Sequence, residues 1–157
     1  MEMGDRHGFS VTVEWTGNLG SGTSNYRAYS RDHEISGEGK PAMPGSSDPA
    51  FRGDASRYNP EELMIASLSS CHMLWYLHLC AVNNVAVISY TDAATGIMAL
   101  DADGGGRFES VTLRPRVCIA AGSERATALR LHSEAQRLCF IANSVNFAVH
   151  HAPEIIT

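Results

Sequence analysis

The sequence lacks a basic run of the kind that binds nucleic acid or an anionic membrane surface. It carries 12 Lys and Arg against 17 Asp and Glu, a formal net charge of −5 at pH 7, so it has no electrostatic footprint for either partner. The first ten residues also lack the basic and apolar segments of a signal peptide, which predicts a cytoplasmic protein with reduced cysteines. We therefore expect a small-molecule partner, no nucleic acid and no membrane.

Metal-binding spacings are also absent. Seven histidines occur, yet none forms an HxxxH or HExxH pattern, and the four cysteines contain no CxxC. The adjacent His150 and His151, on an extended tail, would point to opposite faces. We predict no metal and no cofactor. Internal repeats and low-complexity segments are missing as well, and 157 residues that are 44% hydrophobic suit one domain over residues 1–157 with a single core.

The most informative segment is residues 59–84, which has no Gly or Pro after its start and contains Cys71 and Cys80. Asn59 is suited to cap a helix, Pro60 fits the first helical position, and acidic residues follow near the positive end of the helix dipole. Apolar residues occupy most of the circumference, which predicts a core helix. Its length also allows a membrane span, but His72 and several serines favour a helix buried in a soluble protein.

The remaining chain predicts strands and one further helix. β-branched and aromatic residues predict strands at 9–16 and 26–35, the second with Arg27 and Arg31 on one face. A long loop at 36–58 has room for a short strand near 40–43. Residues 85–102 and 107–121 predict a hairpin, residues 123–143 a helix capped by Ser123, and 145–157 a last strand or extended arm. The order predicts an α+β fold, with the long helix packed on a mainly antiparallel sheet.

The four cysteines differ in their surroundings. Cys71 lies in an apolar stripe of the helix but is surrounded in sequence by serines and His72, so it is either a packing residue or part of a polar pocket. Cys80 falls on the opposite side of the helix, and Cys118 is interpreted as an incidental thiol on a strand. Cys139 follows His132 on one helical face, and it can pair with Cys71 only if the fold brings their Cα atoms within about 7 Å.

A cysteine–histidine acyl hydrolase is an alternative that these residues leave open. His72 cannot face Cys71 from the adjacent helical position, and His78 lies about 10 Å further along the axis. Only His132 or the histidines of the tail remain as a general base.

The segment NPEELMIASLSSC, from Asn59 to Cys71, resembles the OsmC/Ohr family of osmotically inducible and organic hydroperoxide resistance proteins. The similarity extends over nearly the whole chain, with the W-x-G of Trp15 to Gly17, the central hairpin and the downstream Cys139. The chain is similar to a divergent branch, because phenylalanine follows Cys139 where relatives usually have proline. The resemblance implies an OsmC-like α+β fold in an intertwined homodimer.

The resemblance further implies a thiol-dependent peroxidase. In such an enzyme Cys71 attacks the hydroperoxide, Cys139 resolves the sulfenic acid as a disulfide, and an external dithiol restores the thiols. Glu61 matches the family's glutamate by its place in NPEE, and Arg27 is our choice for the arginine that lowers the thiol pKa, with Arg31 and Arg52 as rivals. A non-catalytic protein of the same fold that binds a small apolar ligand is the second hypothesis.

The position of Glu61 sets a further condition. It precedes Cys71 by ten residues, which is about 15 Å along a straight helix. Either the helix breaks between these residues or the glutamate serves a cysteine of another subunit, and we favour the second alternative. Met73, Leu74, Trp75 and Phe147 could line a pocket that favours organic hydroperoxides, although such residues are more often simply core.

Overall fold

The computed structural model describes residues 4–157 and divides the chain into two compact units, the first ending at Leu63 and the second running from Met64 to Thr157. The interpretation of residues 1–157 as a single domain stays a prediction.

The first unit contains a three-stranded antiparallel sheet in the order β1-β2-β3. Its strands are Thr12–Trp15, His33–Ser36 and Met43–Gly45. The Trp15 indole Nε1 donates to the Ser30 carbonyl oxygen at 2.8 Å, and a Cβ at Gly17 would lie 2.0 Å from that oxygen. The W-x-G sequence therefore fixes the chain that leads into β2.

The strand predicted at 26–35 is wrong over most of its length, because β2 begins only at His33. Residues before it form turns, with one isolated bridge between Asn18 and Tyr29. Their local polar contacts hold the backbone in place of a strand ladder; for example, the Asn25 Oδ1 accepts from the Arg27 amide at 2.9 Å.

Helix α1 runs without interruption from Pro60 to Val82, as predicted. Asn59 and Glu62 cap it reciprocally: the Asn59 Oδ1 accepts from the Glu62 amide at 2.8 Å, and the Glu62 carboxylate accepts from the Asn59 amide at 3.2 Å. This arrangement is a capping box in which asparagine replaces the usual Ser or Thr. Its fully buried residues recur every four positions, which gives one buried row: Leu68, His72, Tyr76 and Cys80.

The remaining circumference of α1 is less covered than predicted. Leu74 and Val82 are 63% and 62% exposed, because the second unit covers the helix only along its buried row. By length and composition alone α1 could cross a membrane, a criterion that the core helices of soluble proteins also meet.

The second unit contains two three-stranded sheets, in the orders β4-β7-β9 and β5-β6-β8. The pairs β4–β7 and β5–β6 are antiparallel. β8 pairs with β6 and β9 pairs with β7, and both of these pairs are parallel. The strands are Val87–Asp92, Thr95–Leu100, Gly106–Leu113, Pro115–Ile119, Ala148–His151 and Glu154–Ile156. The tail thus supplies two strands, and the prediction of an α+β fold is confirmed.

The predicted hairpin is correct around its turn but not over its whole length. β5 and β6 pair across the glycine-rich turn, whereas the first half of the first predicted strand and the second half of the second form a separate pair, β4–β7. Pro115 has no amide hydrogen to continue the β6 ladder, and the chain restarts there as β7. Val111, Leu113, Val117 and Ile119, which alternate along β6 and β7, are buried.

Helix α2 runs from Arg125 to Leu138, shorter at both ends than predicted. Ser123 is not its cap, because the Ser123 hydroxyl accepts instead from the Ala86 amide at 3.0 Å. Glu124 occupies the N-cap position without a side-chain capping bond. The helix ends immediately before Cys139, and a short 3₁₀ turn follows at Ala142–Ser144.

Candidate active site

Cys71 lies in the middle of α1 at the wall of an apolar pocket in the second unit. The pocket has a volume of about 310 Å³. Cys71 is partly exposed, whereas the next residue, His72, is buried. The lining combines two helical serines with apolar side chains from α1 and from the segment after α2: Ser67, Ser70, Cys71, Leu74, Trp75, Phe140 and Ile141.

Cys139 lies behind this pocket, at the position that caps the C-terminus of α2. It is buried, and its Sγ accepts a hydrogen bond from the Ala142 amide at 3.4 Å. The helix ends here because the backbone of Cys139 is extended, with φ −63° and ψ 114°. That turn places Phe140 and Ile141 at the pocket.

The fold brings Cys71 and Cys139 together. Burial, with a smaller contribution from the neighbouring Cys71 side chain, raises the pKa of the Cys139 thiol to about 11, while the Ala142 amide opposes the shift. All four cysteines are free thiols. Cys71 and Cys139 thus form a pair in two different environments, one open to the pocket and the other enclosed.

The other two cysteines lie elsewhere in the second unit. Cys80 is buried in the hydrophobic core beside Tyr76, and burial raises the pKa of its thiol. Cys118 is half-buried on β7, opposite Ser89 of β4. Neither lines the pocket of Cys71.

Glu61 lies in the first turn of α1, but Glu62 rather than Glu61 closes the capping box. Because α1 is continuous from Pro60 to Val82, a break in the helix between Glu61 and Cys71 is excluded. At 1.5 Å per residue their separation along the helix is about 15 Å. The first of the two alternatives that the sequence left open is therefore wrong, and the second, a contribution of Glu61 to another subunit, stays a prediction.

The candidate arginines lie in turns of the first unit. Arg27 is exposed in the turn before β2 and does not share a strand face with Arg31, so that prediction is wrong. The Arg31 guanidinium lies 4.5 Å and 3.9 Å from the ring centres of Tyr26 and Tyr29. It also donates to the carbonyl oxygens of both tyrosines at 2.7 Å. Arg31 is therefore held by structural contacts, whereas the assignment of Arg27 stays a prediction.

Arg52, the third candidate, has a left-handed backbone with φ 65° at the end of the 3₁₀ turn Pro49–Phe51. Arg57 was not considered from the sequence, but it contacts the carboxylates of Asp32 and Asp54 at 3.7 and 3.9 Å. Across residues 4–63 no ion pair joins Glu61 to an arginine.

Sequence reasoning missed a cluster of three histidines in the second unit. His72 of α1 and His132 of α2 are buried, and the Nε2 of His72 lies 3.0 Å from the Nδ1 of His132 in a hydrogen bond. His151 of β8 packs beside both rings, with ring centres 5.8 and 6.4 Å away. The four-residue spacing of His72 from Leu68 and Tyr76 in the buried row was the signal that could have revealed it.

Desolvation dominates the electrostatics of this histidine cluster. Burial, with smaller contributions from nearby histidines, lowers the pKa of His72 to about 4 and that of His132 to about 3. Asp92 acts in the opposite direction on His72. Both imidazoles are therefore neutral at pH 7. Within residues 4–157 no group of three or more His, Cys, Asp or Glu side chains has an arrangement suited to a metal ion.

Comparison with known proteins gives a match to one family model and to solved structures. Residues 53–154 match the family model described as OsmC-like protein. An OsmC-like protein of unknown function from Vibrio cholerae is 32% identical, with a TM-score of 0.85 over 96% of this chain and 100% of that chain. No curated protein matches significantly.

Two more distant structures have names that mention hydroperoxides. An organic hydroperoxide resistance protein OsmC from Legionella pneumophila is 14% identical, with a TM-score of 0.67 over 97% of this chain and 100% of that chain. The organic hydroperoxide resistance protein OhrB of Bacillus subtilis is 20% identical, with a TM-score of 0.60 over 94% and 98%. At these identities the likeness is one of fold.

Proposed function

Because this chain belongs to the OsmC-like protein family, we propose that it is a thiol-dependent peroxidase that reduces organic hydroperoxides with Cys71 and Cys139. One observation carries the proposal: a thiol that lines an apolar pocket lies close enough to a second, buried thiol to raise the pKa of that thiol. Two proteins of the same fold are named organic hydroperoxide resistance proteins, which supports the same chemistry.

The environments of the two thiols support an order in which Cys71 reacts before Cys139. A thiol with a pKa of about 11 is thiolate in only about one molecule in ten thousand at pH 7, and the thiolate is the nucleophile. Cys139 is also buried. Cys71, which lines the pocket, is therefore the residue that meets the peroxide.

In the first step the Cys71 thiolate attacks one oxygen of the hydroperoxide. A sulfur–oxygen bond forms as the oxygen–oxygen bond breaks, and the departing alkoxide takes a proton from solvent to become the alcohol. Cys71 is oxidised to a sulfenic acid and the peroxide is reduced.

In the second step the sulfur of Cys139 attacks the sulfur of the Cys71 sulfenic acid. The disulfide forms as the sulfur–oxygen bond breaks, and the leaving hydroxide combines with the Cys139 proton to give water. An external dithiol then reduces the bridge by thiol–disulfide exchange and is itself oxidised.

The pocket supports an apolar substrate. Leu74 and Trp75, two of the four residues expected to line it, do so, joined by Phe140, whose ring centre lies 5.5 Å from that of Trp75. Phe147 instead packs against the second core cluster, and Met73 is not part of the lining. Apolar walls bind the organic group of an alkyl or aryl hydroperoxide and offer little to hydrogen peroxide.

A homodimer completes the proposed site. Activation of Cys71 needs a cation or hydrogen-bond donor, and we assign that role to Arg27, oriented by Glu61 of the other subunit. The continuity of α1, which holds Glu61 away from the Cys71 of its own helix, supports an exchange between subunits. Exposed apolar side chains on α1, such as Leu74 and Val82, offer surface for that contact.

The acyl hydrolase alternative loses one of the general bases that the sequence left open, because His132 is buried and bonded to His72. The non-catalytic ligand-binding alternative differs from a peroxidase in one respect, since its thiols would not react with peroxide.

The test is a titration of the reduced protein with cumene hydroperoxide, followed by intact mass and free-thiol measurement. Wild type should lose two hydrogens and form a Cys71–Cys139 bridge. Cys139→Ser should stop at a Cys71 sulfenic acid that dimedone traps, and Cys71→Ser should not react. Cys118→Ser is the matched control and should behave as wild type. Unchanged thiols at stoichiometric peroxide would support the ligand-binding alternative instead.

A further inference from the structure

The histidine cluster joins the same two elements that carry the two redox cysteines. His72 directly follows Cys71 in α1, and His132 precedes Cys139 by seven residues, which is two helical turns on the same face of α2. The His72–His132 hydrogen bond, 3.0 Å long and buried, therefore links α1 to α2 beside the thiol pair.

Contacts from two other elements, α1 and β8, fix the ring of His132. Tyr76 stacks on it, with ring centres 3.8 Å apart and planes inclined by 11°, and the Tyr76 hydroxyl donates to the carbonyl oxygen of Ala128 in α2 at 3.0 Å. On the other side His151 of β8 is hydrogen-bonded to the Gln136 side chain of α2 at 2.7 Å. The imidazole therefore has little freedom to turn.

A hydrogen bond between two neutral imidazoles is more directional than an apolar contact. One nitrogen must carry the hydrogen and the other must accept it, and the bond weakens steeply if the rings separate or tilt. Both imidazoles are buried and neutral, so the bond between them adds little to the free energy of unfolding. Apolar side chains of similar shape can replace such a pair at small cost. The Nε2 of His132 is buried without a hydrogen-bond partner among the described residues, which also makes the arrangement poor as a purely stabilising device.

We propose that His72 and His132 are positioning residues that set the distance and orientation of the Cys71 and Cys139 thiols by fixing α2 on α1. The inference rests on the proposed function for its biological meaning, because a resolving thiol must reach the sulfenic acid. The quantity that it concerns is the effective concentration of one thiol at the other, and this quantity can be measured without peroxide.

The test measures that effective concentration in glutathione redox buffers, with peptide mass mapping of the Cys71–Cys139 bridge. The variant is the double substitution His72→Leu with His132→Leu, which removes both partners and leaves no orphaned donor in the core. The equilibrium constant for bridge formation should fall about tenfold, because without the directional bond α2 can shift on α1 and the two thiols are within reach of each other less often.

Three further measurements separate positioning from general destabilisation. His132→Asn, whose amide nitrogen or oxygen can replace the imidazole Nδ1, should restore the constant to within about threefold of wild type. His150→Leu, the same substitution at an exposed residue of β8, should leave it unchanged. In single-turnover oxidation the double variant should form the Cys71 sulfenic acid at the wild-type rate and resolve it about tenfold more slowly.

The outcomes are distinct. A folded double variant with the wild-type bridge constant overturns the inference. If the double variant does not fold, His132→Asn decides, and a tenfold loss in that folded protein would equally overturn the role of the hydrogen bond. If wild type forms the bridge in glutathione buffer but does not react with peroxide, the proposed function fails and the positioning role stands.

Discussion

Lowering the pH from 7 to 5 should destabilise the protein through two histidines that are buried in neutral form. An unfolded chain protonates His72 and His132 near the ordinary pKa of 6.5, whereas the folded protein binds those protons only near pH 4 and pH 3. Between these values the unfolded state binds more protons, so stability is complete above pH 6.5 and is lost as the pH falls.

The magnitude follows from the pKa values. At 1.36 kcal/mol per unit, each histidine lowers the free energy of unfolding by about 2 kcal/mol between pH 7 and pH 5, and the two together by about 4 kcal/mol. Burial also lowers the pKa of His151, which adds in the same direction. A domain has about 5–15 kcal/mol of stability in total, so the loss should be large enough to shift unfolding strongly.

The assay is urea unfolding of the reduced protein at pH 7, 6 and 5, with the double variant His72→Leu and His132→Leu as comparison. Wild type should lose stability over this range, whereas the double variant should lose much less. Carboxylates with lowered pKa values, such as Asp54 and Glu134, contribute only at lower pH. Equal unfolding midpoints for wild type at pH 7 and pH 5 would refute the reasoning.

Three further substitutions test single features of the fold and pocket. Asn59→Ala removes the cap of α1 and should lower the free energy of unfolding by about 1 kcal/mol in urea melts. Gly17→Ala places a Cβ against the Ser30 carbonyl and should cost about 1–3 kcal/mol in the same assay. Trp75→Ala opens the apolar pocket, and in steady-state assays it should reduce kcat/KM about tenfold for cumene hydroperoxide and much less for hydrogen peroxide.

Controls for these substitutions come from positions without the same contacts. Asn146→Ala, at an exposed residue, and Gly8→Ala, where a Cβ meets nothing within 4 Å, should each leave stability unchanged. Stability equal to wild type in Asn59→Ala or Gly17→Ala would contradict the contact concerned. Equal losses with both peroxides in Trp75→Ala would show that the side chain does not select the organic group.

The parts of the fold that local sequence determines were predictable. Asn59 and Pro60 mark the start of α1 by capping and by backbone geometry, both of which are local. The glycine-rich turn between β5 and β6 is local too. The buried faces of β6 and β7 follow the alternation of the sequence, with Val111 and Val117 on the covered side.

Features that depend on distant contacts were not predictable. Ser123 looks like a cap, but its hydroxyl binds the Ala86 amide across the fold. Residues 26–32 carry the composition of a strand, yet stacking of Arg31 on tyrosines and side-chain hydrogen bonds stabilise turns there. The segment that became β4 and β5 reads as one strand, because its division reflects two different partners.

The candidate site also depends on contacts between residues that are distant in the sequence. Cys71 and Cys139 were identified through resemblance, and their meeting depends on the packing of α2 on α1, which sequence spacing does not determine. The partnership of His72 with His132 joins residues 60 positions apart in the chain, and a lone histidine in an apolar helix gives little warning of it.

The measurement that tests the redox assignment most directly is a quenched single turnover with one equivalent of cumene hydroperoxide, followed by mass spectrometry of the peptides. One oxygen should appear first on Cys71 and then disappear as the Cys71–Cys139 bridge forms, with Cys80 and Cys118 still reduced. Oxygen that appears first on Cys139, or four free thiols after the peroxide is mixed in, would contradict the assignment.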